Sequence, residues 1–212
     1  MRIFAGVYWG ARQEALSKCA ERLERHFAVL ASISPTLSHW QRGEKRKTQA
    51  ETQVDVRSPE GSAELLAHGV NRKDIGREAI SELGFGVALW NGSGESWSAG
   101  TSVTCGLYSK NSNLSNVANL TVECKDEMAP HPSAMINLLK QLITVWDSDN
   151  GRLEQTYMPS NANMVAVEPQ DILYASYATS DAECQESEGA VEPFGRGRLW
   201  TSSKSRWAGS AI

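Results

Sequence analysis

Apolar residues follow two different spacings along the chain, and each spacing predicts a different kind of element. Ile3 to Trp9 is an apolar run with β-branched and aromatic members, which predicts a buried strand that Gly10 ends. Over Gln13 to Ile33 the apolar residues recur every three or four positions, which predicts an amphipathic helix that stops before Pro35. The residues on its apolar side are Leu16, Ala20, Leu23, Phe27 and Leu30.

The middle of the chain passes from helical spacing to strict alternation. The polar segment 41–57 has no period, which predicts an exposed connection. Ser58-Pro59 predicts the start of a short helix, and a second short helix is predicted over 75–83, ending at Gly84. Three alternating runs then predict an antiparallel meander over about 85–124, with one packed face and one wet face.

After Pro132 the helical spacing returns and predicts a second long amphipathic helix, which a capping turn ends at Asp147 to Gly151. Strands are expected at Met164–Val167 and Ile172–Tyr177. This order predicts one α+β domain over residues 1–180. Its antiparallel sheet combines the meander with N-terminal and C-terminal strands, packed by the two long helices. Residues 181–212 are acidic and then rich in Gly and Arg, which predicts a tail that is at most partly ordered.

Charge and hydropathy narrow the classes of function. The 212 residues carry 25 acids and 21 bases, a formal net charge of −4, whereas a protein that coats nucleic acid needs a surplus of bases. The longest apolar run, Ile3 to Ala11, is about half of the ~18 residues that a spanning helix requires, and it lacks a signal-peptide cleavage site. We therefore expect a cytoplasmic protein that binds neither nucleic acid nor membrane directly.

Every catalytic and metal-binding motif tested against the sequence fails. The four cysteines contain no Cys-x-x-Cys pair and the four histidines are scattered, so we expect no metal site and no cofactor. Cys19 and His26 share a helix face two turns apart, ~10 Å, which is too far for a nucleophile and its base. We expect no catalytic residue, with a hydrolase built on a non-local Cys/His or Ser/His site as the alternative.

Two features are candidates for binding a protein partner. Five acids fall within twelve residues that contain no base, and such a run forms either a solvated segment or an acidic surface that docks on a basic one. These acids are Asp181, Glu183, Glu186, Glu188 and Glu192. Trp97 lies among Ser and Gly residues, so it is either an exposed anchor for a partner or part of a loop folded back on the domain.

The N-terminal third combines Tyr8-Trp9-Gly10-x-Arg12, Glu14 and Cys19-Ala20 at the start of the long helix, and then Trp40. Together with Leu83-Gly84-Phe85 and Leu89-Trp90-Asn91-Gly92, this arrangement resembles the immunity protein 52 family of bacterial polymorphic toxin systems over roughly residues 1–180. The resemblance implies a small cytoplasmic α+β protein encoded beside a toxin. That toxin is commonly a nuclease with a restriction-endonuclease-like domain, often delivered by type VI secretion.

The resemblance also divides the candidate residues by role. A pattern shared across different toxins is expected to maintain the fold, so Trp9, Arg12, Trp40, Trp90 and Asn91 are assigned to the architecture. Toxin binding is assigned to the five acids between Asp181 and Glu192 and to Trp97. An interaction module within some other assembly remains the alternative to an immunity protein.

Overall fold

The structure is a computed structural model that describes residues 1–42, 52–92, 97–125, 128–156, 171–179 and 189–202. Ten antiparallel strands of this part form one sheet in the order β3-β2-β4-β5-β6-β1-β7-β8-β10-β9. The strands are β1 Arg2–Trp9, β2 Gln41–Arg42, β3 Thr52–Gln53, β4 Phe85–Trp90, β5 Trp97–Cys105, β6 Asn116–Cys124, β7 Asn150–Thr156, β8 Asp171–Ala178, β9 Gly189–Phe194 and β10 Gly197–Ser202.

Three α-helices accompany the sheet in the described ranges: α1 Leu16–Ile33, α2 Pro59–His68 and α3 Pro132–Trp146. The buried face of α1 repeats every three or four residues and includes Leu23, Phe27 and Leu30. Helix α2 begins at Ser58, whose hydroxyl accepts a hydrogen bond from the Gly61 amide at 3.0 Å. None of these helices is long and apolar enough to cross a bilayer.

The helices cover one face of the sheet. Helix α3 contacts β1 and β7, helix α2 contacts β4, and helix α1 packs against both of the other helices. On β1 the residues turned towards this layer are Ile3, Ala5, Val7 and Trp9, all at most 3% exposed. A Cβ on Gly151 of β7 would lie 3.2 Å from Leu139 of α3, so Gly151 faces the helices. Leu153 and Gln155, two and four residues further along β7, lie on the same side. The residues between these positions therefore line the other face of the sheet.

Most elements inferred from the spacing are confirmed. The strands predicted at 3–9, 85–89, 117–124 and 172–177 lie on strands of the structure, whereas the one at 103–107 overlaps only the end of β5. The helices predicted at 13–33, at 58–70 and after Pro132 overlap α1, α2 and α3. The α+β class with a large antiparallel sheet is confirmed with them. The expected strand at 164–167 lies outside the described residues.

The short helix expected over 75–83 is wrong. Only a 3₁₀ turn forms there, at Ser81–Leu83, and the backbone turns left-handed at Gly76 and Arg77, with φ of 81° and 57°. Ile75 was one of the apolar residues behind this prediction, yet it is 91% exposed. Without burial of an apolar face, a segment this short gains too little to propagate a helix.

Three strand regions were not anticipated. Within the expected connection 41–57, Gln41 and Arg42 pair with Gln53 and Thr52. Strand β7 follows the capping turn directly, but two of its inward positions are Gly151 and Gln155, so the sequence shows no apolar alternation. In the expected tail, residues 189–202 form the β9–β10 hairpin, which extends the sheet from β8.

Candidate interaction surface

Two residues of the N-terminal sequence pattern, Trp9 and Arg12, lie at the C-terminal end of α3. The ring of Trp9, at the end of β1, stacks on Trp146 with centroids 5.0 Å apart, and the Arg12 guanidinium lies 5.5 Å from the Trp9 centroid. Arg12 Nη2 donates to the Trp146 carbonyl at 2.7 Å. The segment that connects β1 to α1 is thereby fixed to the end of another helix.

Three arginines donate hydrogen bonds to successive backbone carbonyls at this helix end. Arg22 donates to Val145 O at 2.6 Å, Arg12 to Trp146 O, and Arg196 of the β9–β10 turn to Asp147 O at 3.0 Å. The last carbonyls of a helix lack intrahelical donors and carry partial negative charge, so cations are stabilising there. Glu14 lies between Arg12 and Arg22, at 3.3 and 3.2 Å, and balances their charge.

The other residues of the pattern lie around β4. Trp40 is fully buried and donates to Leu37 O at 2.9 Å. The Asn91 side chain accepts from the Ala99 amide at 2.7 Å and donates to Trp97 O at 3.1 Å, which closes the β4–β5 connection. Trp90 is half-buried on the side of β4 that faces away from the helices.

The histidine considered for catalysis is part of the core. His26 is fully buried, and its Nδ1 accepts from Trp146 Nε1 at 3.2 Å. Its Nε2 lies 3.1 Å from the Thr101 hydroxyl, which itself donates to Asn119 O, so this network assigns the proton to Nε2. Burial lowers the pKa of His26 to about 3, and the ring is neutral at physiological pH.

The two buried cysteines face each other across the helix–sheet interface. Cys19 of α1 and Cys105 of β5 are both 0% exposed. A hydrogen bond with Cys19, together with burial, raises the pKa of the Cys105 thiol, which therefore stays protonated. Neither sulfur is accessible to a substrate in this arrangement.

The predicted toxin-binding residues are separated by the structure. Asp181, Glu183, Glu186 and Glu188 lie outside the described residues. Glu192 is on β9, where its carboxylate is 53% exposed and pairs with Lys140 of α3 at 2.5 Å. Of the two settings that the sequence left open for Trp97, the structure shows the packed one: its side chain is 8% exposed, and Nε1 donates to Met128 O at 3.0 Å. Alternation along β5 turns it into the core, so it is not an anchor on the surface.

A surface that the sequence analysis did not single out lies on the other side of the sheet. We call it the open face: the side of β4, β5, β6, β1 and β7 that is turned away from the helices. Its members alternate with the core residues, and they range from half-buried Phe4 and Tyr8 to exposed Ala88 and Ser98. The alternation of residues predicts a solvent-facing side for the strands over 85–124. It does not predict that five strands join into one surface.

The centre of the open face is formed by aromatic and small polar groups. A Cβ on Gly6 would lie 2.7 Å from the Phe4 ring and 2.9 Å from the Tyr8 hydroxyl, so both side chains fold over this glycine. Asn119, opposite Gly6 on β6, accepts from the Ser102 amide at 3.2 Å and from its hydroxyl at 3.1 Å. The result is an aromatic pair beside a row of small polar groups.

Charged residues of the open face are balanced in sign, and one ion pair lies directly beside its centre. Arg152 pairs with Glu154 on β7, and Arg2 lies opposite Glu123 in the β1–β6 register. Burial raises the pKa of Tyr8, while nearby Arg152 lowers it and Glu154 raises it, which places this ion pair next to the aromatic pair.

A separate groove lies between α1 and α3, with a volume of about 460 Å³. Val29, Val145 and Phe194 contribute to its lining, as do Arg25 and Lys140. Lys140 Nζ lies 5.6 Å from the Phe194 ring centroid, so the salt bridge to Glu192 and this contact join the β9–β10 hairpin to α3.

Comparisons with known proteins find a matching family and a distant similarity to a solved structure. The family model described as Immunity protein 52 matches residues 2–153. No curated protein matches the chain. Among solved structures, a type VI secretion system (T6SS) protein of Pseudomonas aeruginosa is similar at a TM-score of 0.49 and 12% identity, over 94% of this chain and 67% of the other.

Proposed function

The chain belongs to the immunity protein 52 family, and on this premise we propose that it binds and neutralises a cognate bacterial toxin. The observation that carries the proposal is the family match over residues 2–153, which runs from β1 into β7 and includes the whole helix layer. Inhibition is stoichiometric, because the protein acts by occupying or covering a surface of the toxin rather than by turnover.

Several histidines and cysteines have structural roles, which supports binding rather than catalysis. His26, Cys19 and Cys105 are buried and hydrogen-bonded within the core. The side chain of His131 caps α3, since the Ser133 amide donates to its Nδ1 at 3.3 Å. Each of these groups has a structural role.

We extend the proposal to the class of toxin. A nuclease must present a basic channel to nucleic acid, and an acidic protein is electrostatically suited to cover such a channel. The net charge of −4 and the acidic segment from Asp181 to Glu192 support a restriction-endonuclease-fold nuclease, delivered by type VI secretion, as the target. Because such a nuclease attacks nucleic acid in the cytoplasm, we place the inhibitor there, with no nucleic-acid contact of its own.

Co-expression with the toxin encoded in the neighbouring gene tests this function. Growth of cells that produce the toxin should be restored by this chain, and the two proteins should purify as a complex of fixed stoichiometry. A catalytically dead toxin should also co-purify, since binding does not require turnover. Absence of rescue and of a complex would refute the proposal, as would hydrolysis of generic ester or peptide substrates by the isolated chain.

A further inference from the structure

Given the toxin neutralisation proposed above, we propose that the open face is the surface that docks on the toxin, with Phe4 and Tyr8 as its central anchors. The occupant is a folded surface of the toxin. The anchors and the face have the size, the charge distribution and the side-chain types that such a contact requires.

The size of the open face matches a protein interface. Its five strands have six to nine residues each. At ~4.8 Å between strands and ~3.3 Å per residue they span about 24 by 25 Å, roughly 600 Å² in projection. A standard interface takes about 800 Å² of accessible surface from each partner, and accessible area exceeds projected area on a surface with side chains.

The charge distribution selects a protein over nucleic acid or an anionic membrane. Arg152 stands beside Glu154 and Arg2 opposite Glu123, so the described charges of the open face cancel. Phosphate-rich partners need an excess of bases, which this face does not offer. An aromatic centre on a surface of low net charge fits a protein–protein contact.

The aromatic pair supplies anchors that are already ordered. Phe4 and Tyr8 are half-buried and rest against Gly6, so their rings are held in place before a partner arrives. Aromatic side chains with few rotatable bonds lose little entropy on binding, and tyrosine is enriched among the residues that dominate binding energy. Each ring still has an exposed portion that a partner can cover.

Two exposed alanines provide a matched test. Ala88 lies on β4 within the open face, opposite Ser102, whereas Ala28 lies on α1 at the groove between the helices. Affinity for catalytically inactive toxin should fall by about 30-fold or more in Ala88→Arg, because a large charged side chain would separate the two surfaces. Ala28→Arg should bind within about twofold of wild type, a difference too small to reflect a hot-spot residue.

Tyr8→Ala tests the anchor itself. Its affinity should fall about tenfold or more, and the loss should persist at 1 M salt, where the Debye length is about 3 Å. A loss through long-range charge would vanish there. Circular dichroism and thermal unfolding of all three variants check that the fold is retained.

The outcomes separate the two proposals. If wild type neither binds nor rescues, the proposed function fails and this inference fails with it. If wild type binds while Ala88→Arg and Tyr8→Ala bind equally well, the function stands and the open face is not the docking surface. The inference is also overturned if only Ala28→Arg weakens binding, or if light scattering finds a dimer of this chain that Ala88→Arg dissociates.

Discussion

At the scale of single residues, His26 shows how specific partners stabilise a polar group inside this protein. His26 is neutral, fully buried and bonded through both ring nitrogens to Trp146 and Thr101. In the unfolded chain the imidazole has its usual pKa, whereas burial in the core lowers that pKa. The unfolded chain therefore binds a proton more readily, and proton uptake favours unfolding.

The pH dependence of stability should therefore report on His26. The pKa is lowered from 6.5 to about 3 on folding, so stability is intact above pH 6.5 and is lost as the pH falls from there towards 3. This residue alone should cost about 2 kcal/mol of unfolding free energy between pH 7 and pH 5. Denaturant unfolding at several pH values measures it.

Two variants isolate the contribution of His26. His26→Gln should be less stable at pH 7 but should show a flatter decline towards pH 5. His39→Gln, at an exposed position, should keep the wild-type slope. Identical slopes for wild type and His26→Gln would contradict this account of the buried histidine.

Glu14 is the second residue whose removal should be costly. Its carboxylate is 9% exposed and pairs with both Arg12 and Arg22, which are 27% and 16% exposed. Glu14→Gln leaves two guanidiniums close together with no anion between them, and we expect a loss of about 3 kcal/mol in unfolding free energy.

An exposed ion pair provides the control for Glu14→Gln. Glu78 pairs with Lys73, and the two side chains are 70% and 59% exposed. Glu78→Gln should change the unfolding free energy by less than about 0.5 kcal/mol. A loss below about 1 kcal/mol for Glu14→Gln would mean that water already screens the Arg12–Glu14–Arg22 cluster.

At the scale of elements, end signals and burial together decide which segments become helices. Helix α2 has Ser58 at its N-cap, proline in its first turn, and Leu65 and Leu66 in the core. The segment 75–83 has apolar residues at helical spacing but no buried face, and it forms a 3₁₀ turn. The difference lies in what the surrounding fold can cover.

The cap of α2 can be tested directly. Ser58→Ala removes the acceptor of the Gly61 amide and should lower the unfolding free energy by about 1 kcal/mol. Ser32→Ala, on the exposed side of α1, removes only a hydroxyl that bonds Val29 O within the helix and should be neutral or slightly stabilising. Equal effects would show that the cap bond is not what stabilises α2.

At the scale of the whole molecule, the described helices lie on one face of the sheet, and the open face is turned away from them. The C-terminal β9–β10 hairpin connects the sheet to the helix layer, since it continues the sheet while Arg196 and Glu192 bond to the end and the flank of α3.

Reversal of the acidic segment should weaken the toxin complex. We expect reduced affinity at low salt when Asp181, Glu183, Glu186 and Glu188 are changed to Lys, because attraction to a basic toxin becomes repulsion. The difference from wild type should shrink as salt rises. Titration calorimetry across a salt series measures both effects.

The control has the same change in charge at another surface. The exposed acids Glu64, Asp74, Glu78 and Glu82, changed to Lys, should bind more tightly than the reversed acidic segment. If both quadruple variants lose the same affinity, net charge alone matters. If neither loses any, the acidic segment has no part in docking, while inhibition itself stands.

The spacing of apolar residues was enough to predict β1, β4, β6 and the end of β5, and the α+β class with a large antiparallel sheet. This is because burial of one face imposes a period on the sequence. The prediction failed where the buried position carries no apolar side chain, as at Gly151 and Gln155 of β7. It failed for the opposite reason at Ile75, which is apolar but exposed.

The local sequence determined which residues alternate and which segments can cap a helix, because those properties depend on neighbours within a few positions. Only the tertiary structure decided that Trp97 turns inward, that three arginines meet at the end of α3, and that Phe4 and Tyr8 close over Gly6. Such contacts join residues far apart in the chain, and their energies depend on strand order and on the placement of helices over one face, which no local pattern encodes.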